Sequence, residues 1–193
     1  MHSFVLLLAL SGATPGGSVE AAKPALVLDE KREYYELHAA TRRELKRKLR
    51  EALRDEGDGK GGDGRTRQAI SSRYELEPTA RGCRMKEPEV RLEILVRLPR
   101  WVSPEEDPPA KLEEAWAALL AALETHEAGH RELAIEAAEE LVDALAGLDG
   151  TLSCQELDRL ARRALLSATL RHSIRDRAYE RRTRNGAAQG VIL

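Results

Sequence analysis

One amphipathic stripe constrains this chain more than any other feature. Between Pro109 and Leu148, apolar residues fall at Leu112, Trp116, Leu119, Leu123, Ala134, Ala137, Leu141 and Leu145. Steps of three and four are the spacing of one helix face. The segment follows Asp107-Pro108-Pro109 and is rich in Ala, Leu and Glu, so a helix start and good helix formers agree with the period. A long helix is expected over about 109–148, with Glu124, Glu132, Glu139 and Glu140 mostly on its solvated side.

The gap in that stripe, between Leu123 and Ala134, is filled by His126 and His130. They belong to His126-Glu127-Ala128-Gly129-His130, an H-E-x-x-H pattern. Residues four apart stack on one helix face, so both imidazoles can reach one Zn²⁺, with Glu127 beside the site as a general base. Two ordinary core histidines are the simpler alternative. Burying both without a metal or partners costs several kcal/mol of unmet polar groups, and a metal removes that cost. Gly129 lowers helix propensity by about 1 kcal/mol relative to Ala. It either admits a close approach by another backbone or a substrate, or is neutral.

A catalytic zinc takes three protein ligands and leaves one position for water. The third donor is sought on a final helix over about Ser153 to Arg182, with Ser153 as N-cap and Glu156 at N3. Its stripe Leu157, Leu160, Ala164, Ala168 continues into His172, Asp176, Tyr179 and Thr183, with Glu180 nearby. The buried seam thus turns polar towards its end. Packed antiparallel, that end reaches the histidine level only with an offset of two or three turns. Glu180 is the first candidate ligand, with Asp176 and His172 behind it. Each acid can instead pair with Arg175, Arg177, Arg181 or Arg182.

Ahead of the motif, Tyr34 to Leu37 is expected as a first short strand and Thr41 to Leu53 as a helix, with Thr41 and Glu44 as a capping box. Strands are expected at Arg67–Glu77 and Cys83–Leu98, joined by a turn at Pro78–Gly82 and stopped by Pro99. Val90, Leu92, Ile94 and Val96 alternate with Arg91, Glu93, Leu95 and Arg97, which marks a half-buried strand. Gly57 to Gly64 is a connector whose aspartates lack calcium-loop spacing. The resulting fold class is α+β: a small antiparallel sheet packed on two long C-terminal helices, a minimal zincin-like layout.

The chain has 193 residues, 33% of them charged, and a formal net charge of -2, which gives no case for nucleic acid. Phe4 to Leu10 is a short apolar run followed by small residues, the form of an export signal, although its n-region lacks Lys and Arg. Residues 1–23 are read as signal peptide and spacer and 24–193 as one domain. No segment is long and apolar enough for stable membrane insertion. Cys83 and Cys154 either pair, as an oxidising compartment allows, or are two buried thiols.

These features together resemble a secreted bacterial family, domain of unknown function 922, described as predicted zinc-dependent proteases. The resemblance covers roughly Tyr34 to Leu193. It is carried by Tyr34-Tyr35, Cys83, Leu98-Pro99-x-Trp101, Trp116, the histidine motif and Cys154. The ending Tyr179-Glu180-x-x-Thr183-x-Asn185-Gly186-x-x-Gln189-Gly190 completes it. The family usually carries Asp where this chain has Glu180, which keeps a carboxylate. It usually carries His where this chain has Asn185, and Asn hydrogen-bonds but exchanges no proton. The expectation is a periplasmic or extracellular zinc peptidase acting on a peptide or protein. His126, His130 and Glu180 hold Zn²⁺, Glu127 is the base, and Tyr179 or Asn185 donates to the oxyanion. The alternative is a non-catalytic exported module with a vestigial metal site.

Overall fold

A computed structural model describes residues 23–55, 65–104, 106–148 and 150–192. The expected signal segment (but for Lys23) and the glycine-rich connector lie outside them. The elements are β1 (Ala25–His38), α1 (Arg42–Asp55), β2 (Arg65–Thr79), β3 (Gly82–Val102), α2 (Ala110–Ala146) and α3 (Cys154–Thr183), followed by a 3₁₀ turn at Ala187–Gln189.

The alternation in β3 makes it the central strand. Val90, Leu92, Ile94, Val96 and Leu98 are all buried on one face, and the strand order is β1-β3-β2. β2 pairs antiparallel with β3 through a hairpin. At the turn, the Thr79 hydroxyl accepts from the Gly82 and Arg81 N–H groups at 3.1 and 3.3 Å. The register shifts once, between Arg73 and Glu75 on β2. Opposite that shift Glu87 has φ 48°, just before Pro88, so the extra residue of a bulge sits on β3.

The α+β layout holds, with three corrections. The sheet is mixed, because β1 pairs parallel to β3, from Ala25 with Glu89 to His38 with Val102. A parallel neighbour requires a crossover, and α1 with β2 supplies the intervening chain. The first strand is 14 residues long, not a short one at Tyr34–Leu37. Its many charges hide it from a hydrophobic pattern, and an edge strand tolerates them. Pro99 does not stop β3, which runs to Val102. Among the described residues pairing with β2 reaches Arg97, so Pro99 sits where β3 has one described neighbour and a missing N–H is harmless.

The two long helices cover the inner face of the sheet. Leu112, Leu119, Leu123, Ala134, Ala137, Leu141 and Leu145 of α2 are all buried, as the stripe requires. The Trp101 indole donates to Ala39 O at 2.8 Å and lies against Trp116, tying the ends of β1, β3 and α2 together. Ser153 and Glu156 form the expected capping box on α3. In α1 the Thr41 hydroxyl accepts from Glu44 N–H, and the Glu44 carboxylate reaches back to Ala40 N–H.

The hairpin tip is clamped to the α2–α3 connection. Cys83 and Cys154 are disulfide-bonded, and Cys83 N–H donates to Gly150 O at 3.2 Å. A Cβ on Gly82 would lie 2.6–2.7 Å from the backbone of Gly150, Thr151 and Leu152, so only glycine admits this approach. The Tyr74 hydroxyl donates to Asp158 at 2.9 Å and adds a second tie to α3. The cross-link closes a separation of 71 residues, worth about 4 kcal/mol in the chain-entropy model. Replacing both cysteines by Ala is therefore expected to lower the unfolding free energy by about that amount. Urea titration checks it, and an unchanged midpoint would refute the clamp's role.

Candidate metal centre

Antiparallel packing of α2 and α3 assembles the site. The contacts run in opposite order along the two helices: His126 with Tyr179, His130 with Asp176, Leu133 with His172, Glu140 with Arg171. Counted from the connection, Asp176 lies further along α3 than His130 does along α2, by about two turns. The clamp explains this offset. α3 begins beyond the end of α2, at the hairpin tip, and its first turns are spent there.

His126, His130 and Glu180 come together as a group able to hold a metal ion, their ligand atoms within 4.8 Å of one another. The two Nε2 atoms are 3.3 Å apart. Glu180 Oε1 lies 3.1 Å from His130 Nε2, and Oε2 lies 3.5 Å from His126 Nε2. The histidines are 1% and 7% exposed. Asp176 and His172, the two other candidate ligands, serve elsewhere.

Both rings are held from behind. His126 Nδ1 meets Gln189 Oε1 at 2.8 Å, and His130 Nδ1 meets Asp176 Oδ1 at 2.6 Å. Each partner is an acceptor, so each Nδ1 donates to it and, when the ring is neutral, Nε2 presents a lone pair. The lone pairs then point at one another and at a carboxylate whose Oε2 is buried without a hydrogen bond. A cation satisfies all of these atoms at once. Metal-ligating histidines usually donate their other N–H to a carboxylate or carbonyl, which is the arrangement here. Asp176 is held below the usual carboxylate range. Burial alone would raise it, but the His130 hydrogen bond and charge outweigh burial.

Glu127 is 3% exposed and accepts from the Thr66 hydroxyl on β2 at 2.6 Å. Burial pushes its carboxyl above the ordinary glutamate range. The Thr66 hydrogen bond and the charges of His130 and His126 offset only part of that push. Two places along β2, Gln68 Nε2 meets His172 Nε2 at 2.6 Å, while His172 Nδ1 meets Leu133 O at 3.2 Å. The third histidine is thus a partnered core residue that joins both helices to the sheet.

Tyr179 answers the question posed by Gly129. Its ring stacks on His126, centroids 5.2 Å apart, and meets His130 edge-on at 4.9 Å. Its hydroxyl donates to His126 O at 3.0 Å and accepts from Gln189 Nε2 at 3.1 Å. A Cβ on Gly129 would fall inside the phenol. The close approach is therefore made by a side chain of the neighbouring helix, not by a backbone or a substrate. Asn185 stands on the exposed turn after α3 with φ 53°, its N–H on Glu180 O at 2.9 Å. Its side chain makes no hydrogen bond to the cluster among the described residues.

Thr66 and Gln189 are residues at the site to which sequence reasoning gave no role; Gln189 entered only as part of the ending that carries the resemblance. Thr66, Gln68 and Ile70 occupy alternate inward positions of β2, so adjacent polar residues in the inward register carried a signal. Gln189 lay in a glycine-rich ending whose folding back onto His126 leaves no periodic trace. Gly186 belongs to the same turn, and a Cβ there would press on Val191 and on His126 Cγ at 3.3 Å.

A long helix bearing two histidines, an adjacent helix bearing a carboxylate and a strand steadying the motif's acid define an α+β protein with a candidate single-metal centre. The model for a bacterial protein of unknown function, DUF922, matches residues 32–187, and the chain belongs to that family. No curated protein and no solved structure matches it significantly.

Two outcomes follow from this geometry. Gly129→Ala raises helix propensity yet is expected to cost roughly 2 kcal/mol through overpacking against Tyr179. Thermal unfolding checks it, and a stabilised variant would contradict the crossing. Gln189→Ala frees the His126 ring and is expected to weaken binding of a divalent metal ion about tenfold to a hundredfold. Competition with a chromophoric chelator measures it, and unaltered affinity would deny Gln189 an orienting role.

Proposed function

We propose that the protein is an exported zinc-dependent peptidase. The observation that carries this reading is a three-donor set, His126, His130 and Glu180, beside the buried carboxylate of Glu127. No fourth His, Cys, Asp or Glu joins the group among the described residues. Asp176, the nearest extra acid, is engaged with His130 Nδ1. A structural zinc would be closed by four protein ligands, whereas a catalytic one keeps a place for water. That difference favours the catalytic reading over a vestigial module.

Histidine nitrogens with one carboxylate suit zinc among the common divalent ions. When bound, zinc supplies Lewis-acid polarisation and makes a water acidic enough to lose its proton near neutrality. Glu127 takes that proton and returns it to the leaving amine. Its burial-raised pKa suits both transfers. Thr66 holds one carboxylate oxygen and leaves the other for the exchange. Gln189 and Asp176 fix the imidazole orientations. Tyr179 is a positioning residue in this scheme, because its hydroxyl already serves His126 O and Gln189. The oxyanion donor is assigned to Asn185, whose exposed side chain makes no hydrogen bond among the described residues. A peptide or protein is the substrate class the resemblance implies.

Export is supported by the Cys83–Cys154 disulfide, which persists in oxidising compartments, and by the apolar N-terminal run. No described helix is long and apolar enough to cross a membrane.

Glu127→Gln is expected to keep zinc at one equivalent, by elemental analysis, while peptide-library or casein cleavage falls at least about a hundredfold. Chelator should abolish cleavage by the wild type. Proteolysis that persists in the variant would remove the mechanism.

A further inference from the structure

The outward face of α3 takes no part in the metal centre. Leu166, Leu170 and Ile174 follow one another at four-residue steps and are 69%, 59% and 56% exposed. They form one ridge about 12 Å long. Arg159 and Arg163 precede it on the same face, and Arg177 and Arg181 follow it, all exposed. Between positions 159 and 181 no acid shares this face, because Asp176 and Glu180 turn inward to the histidines.

The arginines of α3 fall into distinct groups. Arg171 and Arg175 pair with Glu140 of α2, and Arg162 pairs with Asp158. Arg163, Arg177 and Arg181 enter no ion pair among the described residues. The charge on the other long helix has the opposite sign. Glu113, Glu114, Glu124, Glu132, Glu136, Glu139 and Asp143 are exposed on α2. The helical layer therefore carries positive charge around an apolar ridge on one helix and negative charge on the other.

We propose that the α3 ridge docks the protein on an anionic lipid bilayer. The three aliphatic side chains enter the interface, and the arginines at both ends meet lipid phosphates with their stems laid along the apolar boundary. The acidic side of α2 is repelled by the same surface, which orients the molecule with α3 towards it. A ridge that projects from a single convex helix suits a flat surface better than a partner helix. Pairing α3 with its own copy in the opposite direction would set arginine against arginine at both ends. With no described helix able to span a bilayer, the contact is peripheral. The proposal does not rest on the peptidase reading.

The test is co-sedimentation of the full chain with vesicles of phosphatidylcholine alone or with one third phosphatidylglycerol. Binding is expected only to the anionic vesicles and is expected to be lost at high salt. Arg163→Gln together with Arg177→Gln should lower partitioning roughly 30-fold, at about fivefold per arginine. Leu170→Gln should lower it several-fold, with circular dichroism unchanged. Equal binding to neutral vesicles, or no binding by the folded chain, would overturn the proposal. So would variants that bind like the wild type. Loss of lipid binding alongside a ridge-dependent oligomer in sedimentation velocity would assign the face to a second copy instead.

Discussion

Three atoms able to bind a cation are pressed together inside this protein. Two imidazole nitrogens and a carboxylate oxygen converge at the contact of α2 and α3, and such a cluster needs a positive charge, a proton or a metal ion, to hold it. The rest of the molecule keeps that convergence in place. Gln189 and Asp176 occupy the far sides of the rings, so the rings cannot turn away. Gly129 lets Tyr179 cross the motif helix, and Tyr179 then holds that helix by its own backbone. The disulfide at the hairpin tip sets how far α3 overshoots α2, and this overshoot brings Glu180 level with the histidines.

The parts of this arrangement that follow from periodicity were legible in the sequence. The stripe of α2 predicts its buried face residue by residue, and it places His126 and His130 on that face because they fall in step with Leu123 and Ala134. Glu180 was legible for a related reason. A seam that changes from Leu157 and Ala168 to Asp176 and Tyr179 must meet something polar. The alternation of Val90 to Leu98 identified the central strand, and Ser153 with Glu156 marked the start of α3.

What escaped the sequence depends on contacts between segments that share no period. Strand direction is one case, since alternation is the same whether a neighbour runs parallel or antiparallel. β1 carries Asp29 to Glu33 in an unbroken charged run, so its edge position hides it from a hydrophobic reading. Pro99 reads as a stop until the described β2 ladder, which reaches Arg97, shows that the N–H it lacks is not needed there. Thr66 and Gln189 reach the motif across long sequence separations, and only the folded chain brings them near it. Tyr179 shows the opposite difficulty. Its proximity to the centre was legible, but its hydroxyl turns out to serve the backbone of the motif helix.

The parallel pairing of β1 also shapes how the protein reaches its fold. Its only neighbour in the described sheet is β3, so Ala25 must wait for Glu89. The β2–β3 hairpin closes locally and can form early, whereas β1 pays the entropy of a long loop before gaining any hydrogen bond. During synthesis it emerges well ahead of its partner and stays unpaired meanwhile. The run Asp29-Glu30-Lys31-Arg32-Glu33 then has a use that the finished structure conceals. Such charge on an orphan strand discourages it from adding to the sheet of another molecule, and so guards the chain while it is incomplete.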